Sequence, residues 1–342
     1  MTSVLRRIDL TSPGWAKFVL QHPSASPFHH PGWAGLLADC YRYPAFVLAL
    51  TDDTGEIIAG LPVLDVTRLL GARRWVSLPF TDYLPLLEVS QERRDFIDAL
   101  VASLRPQRIA FHMRAAISEH SDVYTHTDAV RHTLQLSPDS AAVYGRFSTM
   151  HRRNIRQAER AGLDVSMGYS LTDMHAFYRL HLLTRKRLGV PVQPYRFFRL
   201  LVERLIGYGL GFVLTVRVGG AAVAAAVFLS WKGTLTYKYG ASDSRFWQYR
   251  PNNLLFWRAI KWACENEYHT LDFGRTYSGD QGLREFKNGW GAREEPLVYA
   301  AIGPGASTRF SGRLSRGLGT VIRHAPPWVC RAIGEIFYRY AA

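Results

Sequence analysis

Three cations and three carboxylates crowd one stretch of this chain, residues 271–291, which reads LDFGRTYSGDQGLREFKNGWG. The cations are Arg275, Arg284 and Lys287, and the acids are Asp272, Asp280 and Glu285. A second cluster, Arg152, Arg153, Arg156 and Arg160, lies within FSTMHRRNIRQAERAG at 147–162. Guanidinium groups offer a planar fork matched to phosphate and carboxylate, so both clusters suit an anionic ligand. The alternative for each is a solvated surface face. A third candidate is Asp82, in SLPFTDYLPLL, where Pro79 and Pro85 restrict the backbone on either side. That carboxylate could accept a proton, or it could cap the amides of its own turn.

The elements that must position these groups can be read from glycine punctuation and periodicity. Residues 270–273 read as a strand that stops at Gly274, followed by a polar loop, an amphipathic run over 282–287 and a turn at Gly289 to Gly291. That sequence of elements puts charged side chains at the carboxyl edge of a sheet, where α/β folds usually hold ligands. The 147–162 segment predicts a helix, with Ser148 as N-cap and Gly162 as its stop. At ~100° per residue its arginines 152, 156, 160 and 153 fall at roughly 0°, 40°, 80° and 100°. Like charges so placed repel one another. A surface that is merely solvated tends to mix signs, so the arc reads as built for an anion.

Elsewhere the pattern alternates between strands and helices. Residues 46–50 and 57–66 flank Asp52-Asp53-Thr54-Gly55 as a hairpin; 74–78 and 108–113 read as strands and 91–104 as a helix. After Ser137-Pro138 come a strand at 164–168, helices at 171–188 and 194–208, a hairpin through Gly219-Gly220, a strand at 234–239 and a helix opened by Pro251-Asn252-Asn253. A strand at 295–302 closes the series. The expected fold class is α/β (α+β), with domains at 1–138 and 139–302 and a basic amphipathic tail at 303–342.

Bulk properties narrow the function classes. A chain of 342 residues suits two domains. With 47% hydrophobic and 20% charged residues it lies well outside the disordered range. The net charge is +14, and six of the 42 basic residues are lysine, leaving 36 arginines. Anionic partners are compatible with that bias, as is a GC-rich genome. Cys40, Cys264 and Cys330 are few and far apart, which argues against a disulfide scaffold and structural zinc. The N-terminus has no apolar core of a secretory signal, and no run of about 18 apolar residues occurs. The expected location is cytoplasmic, at the inner face of the membrane if the tail makes contact.

Three segments together resemble the FemAB-like acyltransferases, relatives of peptidoglycan-bridge aminoacyltransferases and of exopolysaccharide and exosortase-associated bacterial proteins. They are DFGR followed by FKxGWG, SLPFTDYLPLL, and N-x-R-x-A-x-x-x-G in the arginine-rich helix. The resemblance implies two tandem GNAT-like domains with mixed sheets around a shared cleft. It implies that Lys287 binds the acceptor's phosphates, and that Tyr239, in YKYGAS, offers a hydroxyl to the reacting centre. Arg152, Arg156, Arg275 and Arg284 are expected to assist Lys287, and Asp82 to accept the proton. No Ser-His-Asp or Cys-His arrangement is legible, so direct transfer is expected, without a covalent enzyme intermediate.

The implied reaction moves an acyl group, aminoacyl by preference, to an amine on a phosphate-bearing cell-envelope or exopolysaccharide precursor. No cofactor is implied; the donor is a co-substrate, aminoacyl-tRNA or alternatively acyl-CoA. Where GNAT folds carry a glycine-rich CoA loop, this chain has Gln248-Tyr249-Arg250-Pro251-Asn252-Asn253, in which the proline removes an amide donor. It also has no heptad run for the long helical arm of some family members. Two other readings stand beside this one: an acyl-CoA-dependent N-acetyltransferase, and a non-catalytic glycan- or membrane-binding module. The expected partners are an anionic glycan or lipid-linked precursor, tRNA, and a membrane surface met by the tail.

Overall fold

A computed structural model describes residues 3–67, 73–90, 92–117 and 120–304, with 322, 323, 326, 330, 331 and 338. The expectation of an amphipathic, membrane-contacting tail falls almost wholly outside these residues. The described residues divide into two compact units, the first holding those between 3 and 129 with 296–304, the second those from 130 to 295 with the six isolated positions.

Unit 1 begins with strand β1 (Val4–Ile8), helices α1 (Pro13–Gln21) and α2 (Pro31–Tyr41), and strands β2 (Ala45–Thr51), β3 (Ile57–Thr67) and β4 (Arg73–Val76). The short β5 (Leu87–Glu88), helix α3 (Arg93–Leu104), strand β6 (Ala110–Met113) and the first half of β7 (Val123–Gln135) follow. β1, β2, β3 and β4 pair antiparallel in that order; α3 then crosses over so that β6 lies parallel to β4. Phe96, Ile97, Leu100, Val101 and Leu104 of α3 are buried against this sheet with Leu61, Val63, Trp75 and Phe111. At roughly 2–3 kcal/mol for each large apolar side chain withdrawn from water, this face is what holds the helix down.

Unit 2 continues β7 and adds helices α4 (Ser140–Gly145) and α5 (Thr149–Arg160), strand β8 (Asp164–Gly168), and helices α6 (Leu171–Leu188) and α7 (Tyr195–Arg204). Strands β9 (Gly211–Val218), β10 (Ala221–Trp231) and β11 (Thr234–Ser242), helix α8 (Pro251–Glu265), strand β12 (Thr270–Tyr277), helix α9 (Gln281–Asn288) and strand β13 (Arg293–Ile302) complete the chain. β8, β9, β10 and β11 pair antiparallel, and α8 crosses over to bring β12 parallel to β11. The order β8-β9-β10-β11-β12 thus repeats β1-β2-β3-β4-β6, with two helices between the first and second strand of each series.

Local signals explain most boundaries. Ser148 accepts the amide of His151 at the start of α5. Ser170 and Asp173 form a capping box on α6. The units part at 129/130 and 295/296, inside β7 and β13, whereas the sequence pointed to Ser137-Pro138 and to 302. A 13-residue strand with exposed ends carries little apolar alternation, which is why β7 is silent in the sequence.

Candidate active site

β11 and β12 pair over only three residues, Thr234 with Thr270, Leu235 with Leu271 and Thr236 with Asp272. Beyond that point the strands separate, opening unit 2 at the carboxyl ends of its parallel pair, the usual place for a ligand in such sheets. A bulge at Lys238 accompanies the separation: Tyr237 faces Phe228 and Tyr239 faces Val227, leaving Lys238 unmatched. The extra residue sends the two tyrosines to opposite faces. Tyr237 packs on Phe256 and Phe228, and burial pushes its hydroxyl up to about 12. Its oxygen lies where a Cβ on residue 240 would stand, so only glycine fits there. Tyr239 turns to α6 and α7, among His181, Phe197 and Phe198.

The DFGR and FKxGWG segments are coupled through Lys287. Lys287 is only 3% exposed. Its ammonium donates to the carbonyls of Phe273 (2.7 Å), Gly274 (3.1 Å) and Arg275 (3.2 Å). An ammonium has three N–H donors, and these three carbonyls match them. Lys287 therefore ties down the β12 backbone where it leaves β11. Asp272 finishes the same clamp: one oxygen accepts from the Arg131 guanidinium (2.9 and 2.7 Å), the other from the Gly274 amide (2.8 Å).

Arg284 is likewise committed. Its fork donates to both oxygens of Glu294 (3.0 and 2.7 Å) and holds that carboxyl down to about 2. His132 shares Glu294, and burial with the nearby Lys287 charge lowers its pKa. Arg275 lies over the Tyr277 ring at 4.0 Å. Trp290, the tryptophan of FKxGWG, is fully buried between Phe147, Phe256 and His151. His151 donates from Nε2 to the Phe286 carbonyl (2.8 Å), and burial keeps it neutral, with a lowered pKa. Residue 289 passes so close to that ring that a Cβ would sit 2.8 Å from Nε2.

The arginine helix presents open cationic surface. Arg153, Arg156, Arg160 and Gln157 line a groove of about 420 Å³ on α5. Arg152, at the edge of the expected arc, leans instead toward the Gly145 carbonyl and lines no part of the groove. On a helix, positions 153, 156, 157 and 160 cover one face, and 152 points some 90° from its centre. Gln157 donates to the Gln248 carbonyl (2.8 Å), tying α5 to the 3-10 turn Ser244–Tyr249 that precedes α8. Arg250 adopts a left-handed φ of 56° at the N-cap of α8, and Pro251 occupies its first turn. The sequence missed Gln157 as a groove residue; its position between Arg156 and Arg160 was the available signal.

Asp82 belongs to unit 1. Its backbone carbonyl accepts the Tyr299 hydroxyl (2.7 Å). The surrounding loop is held by Trp33 to Thr81 (2.8 Å) and by His29 to the Pro85 carbonyl (2.9 Å). Leu78 and Phe80 both take left-handed φ values, 58° and 61°, a conformation that costs roughly 1–2 kcal/mol outside glycine. Packing and these hydrogen bonds offset that cost.

Residues 145–288 match the family described as an acetyltransferase (GNAT) domain. No curated protein matches the chain by sequence. Among solved structures it is similar to FemX, with a TM-score of 0.68 at 14% identity, over 86% of this chain and 96% of that one. It is similar also to the C-terminal domain of an Agrobacterium fabrum protein described as a lysylphosphatidylglycerol synthetase (TM-score 0.58, 14% identity, 90% and 95% covered). A third is a tandem GNAT protein from the clavulanic acid biosynthesis pathway (0.56, 11%, 89% and 99%). The matched domain and the fold define a GNAT-type N-acyltransferase. The two units repeat that topology in tandem, as the FemAB-like acyltransferases do.

Proposed function

We propose that the protein transfers an acyl group, aminoacyl by preference, to an amine on a phosphate-bearing cell-envelope or exopolysaccharide precursor. The observation that carries this reading is the groove of Arg153, Arg156 and Arg160 on the matched GNAT domain, three forks on one helix face. The name of one similar structure, a lysylphosphatidylglycerol synthetase, supports an aminoacyl group and a phosphate-bearing acceptor, though that acceptor offers a hydroxyl rather than an amine. The acceptor amine attacks the acyl carbonyl, a C–N bond forms, and the donor's C–O bond breaks as the tetrahedral intermediate collapses. The nitrogen gives up one proton as the amide forms and the leaving oxygen of the donor takes up one, so the transfer releases no net proton. Tyr239, on the bulged strand, is the hydroxyl proposed to face the reacting centre. Lys287 and Asp272 contribute indirectly, by fixing the strand end that borders the opening.

The test is incubation of the purified protein with aminoacyl-tRNA or acyl-CoA and amine-bearing nucleotide-sugar or lipid-pyrophosphate acceptors, with mass spectrometry of the products. Arg156→Ala/Arg160→Ala should raise KM for the phosphate-bearing acceptor about tenfold or more, as expected for losing charge-assisted hydrogen bonds. Turnover of a phosphate-free amine should not change. Absence of acylation with every donor, or an unaltered KM in the double variant, would refute the reading. The match to an acetyltransferase domain favours acyl-CoA as the second donor. Pro251 at the head of α8 weighs against it, because it withholds an amide from the helix terminus. Calorimetry with acetyl-CoA separates the two donors.

A further inference from the structure

One surface of unit 2 mixes exposed apolar side chains with arginines in a way the acyl-transfer reading does not use. Trp247 and Tyr249, in the 3-10 turn Ser244–Tyr249, are 39% and 36% exposed, and Leu183 and Leu188 of α6 are 41% and 50% exposed. Contacts join the turn to α6. The Arg187 guanidinium lies over the Trp247 ring at 4.5 Å. Trp247 donates to Ser242 (3.0 Å), whose amide in turn donates to Thr184 of α6 (3.0 Å). Leu183 and Arg187, four residues apart, share a side of α6. The turn itself adds exposed Arg245 and Arg250. Asp243 is the carboxylate of this turn, and Arg245 already covers it (2.6 Å).

From this arrangement we infer that the 3-10 turn and the last turns of α6 form a docking surface for an anionic lipid bilayer. Trp and Tyr side chains favour the headgroup level, with an apolar body below and a polar edge above. Leucines held in water have no favourable partner there, and insertion removes their surface from it. Arg187, Arg245 and Arg250 would meet lipid phosphates, each adding to the attraction of the negative surface. A nucleic acid could use the arginines and the aromatic faces, since bases stack on such rings. It has no use for Leu183 and Leu188, and this is why the bilayer is the better occupant. The surface adjoins the arginine groove of α5 through the bond from Gln157 to Gln248. A lipid-borne phosphate at the docked surface would thus lie beside the groove. The docking itself requires neither the proposed donor nor the proposed acceptor.

The test is co-sedimentation of the full chain with vesicles of phosphatidylglycerol and phosphatidylcholine, against phosphatidylcholine alone. Binding should need phosphatidylglycerol, weaken at high salt, and fall about tenfold or more in Leu183→Ser/Leu188→Ser/Trp247→Ser. The double variant Leu183→Ser/Leu188→Ser leaves the Trp247 hydrogen bond in place and should lose an intermediate share. Acylation of a water-soluble acceptor should be unchanged in both variants, so loss of docking and failure of the acyl-transfer reading are told apart. Residues 303–342 are present throughout. Vesicle binding that survives the triple substitution therefore belongs elsewhere in the chain and overturns the proposal. So does a protein that ignores vesicles but binds a short RNA hairpin in a manner sensitive to Trp247→Ser.

Discussion

The two units share a strand order and differ at the same place, the carboxyl end of the parallel pair. In unit 1 the chain leaving β4 folds back at once through left-handed Leu78 and Phe80. Leu78, Thr81, Leu84 and Leu86 of that loop are buried. In unit 2 the equivalent strand, β11, runs on to Ser242 along β10 while parting from β12 at Asp272. One unit therefore fills its strand end with its own loop, and the other holds its strand end apart with a lysine clamp. An identical topology does not by itself make a site. What the chain does in the few residues after the parallel pairing decides whether an opening remains.

The lysine clamp gives the largest expected effect. Lys287→Ala would leave three carbonyls without their donor, at about 1–3 kcal/mol for each buried group left unsatisfied. Urea unfolding should show a loss of roughly 3 kcal/mol or more, with Arg156→Ala within about 0.5 kcal/mol of wild type as expected for an exposed side chain. If Lys287→Ala keeps its stability and abolishes acyl transfer, the clamp is secondary and the lysine acts on substrate.

Acid stability should separate the units next. Each has a buried neutral histidine whose pKa burial lowers: His29 to about 4 in unit 1 and His181 to about 3 in unit 2. Both take up a proton more readily when unfolded, near the ordinary 6.5. Their contributions are thus complete above that value and are lost as pH falls, down to about 4 for His29 and about 3 for His181. Thermal unfolding between pH 7 and 4 should become steadily easier. His29→Leu and His181→Leu should flatten that slope alike down to about pH 4, and only below it, where His29 is protonated in both states, should His181 alone go on costing stability; an unchanged slope in either variant would contradict a buried neutral imidazole.

The smallest effect concerns the filled end of unit 1. Tyr299→Phe removes the hydrogen bond to the Asp82 carbonyl and should cost about 1 kcal/mol in denaturant titration. Asp82→Asn leaves that backbone bond intact and should be near neutral for stability. A change in the pH profile of acyl transfer in Asp82→Asn would mark this carboxylate as the group that accepts the proton, and an unchanged profile would remove it from the chemistry.

Much of the fold was legible in the sequence. Ser148 and Gly162 mark α5, Gly219-Gly220 the β9–β10 hairpin, and the 171–188 period the full length of α6, because capping and glycine turns are local. β7 was not legible, since pairing partners far along the chain, rather than its own pattern, keep it extended. The site divides the same way. Helical geometry alone put Arg153, Arg156 and Arg160 on one face, and that face is the groove. The fate of Lys287 and Arg284 was hidden, because a charge in sequence does not say whether a carbonyl or a carboxylate awaits it. Tyr237 and Tyr239 make the point at closest range. Two residues apart in a strand, they belong on one face by sequence alone, and a single bulged residue, set by the register of β10 against β11, sends them to opposite sides. Local rules fixed where the elements begin and end, while partners distant in sequence decided which charges stay open to a ligand.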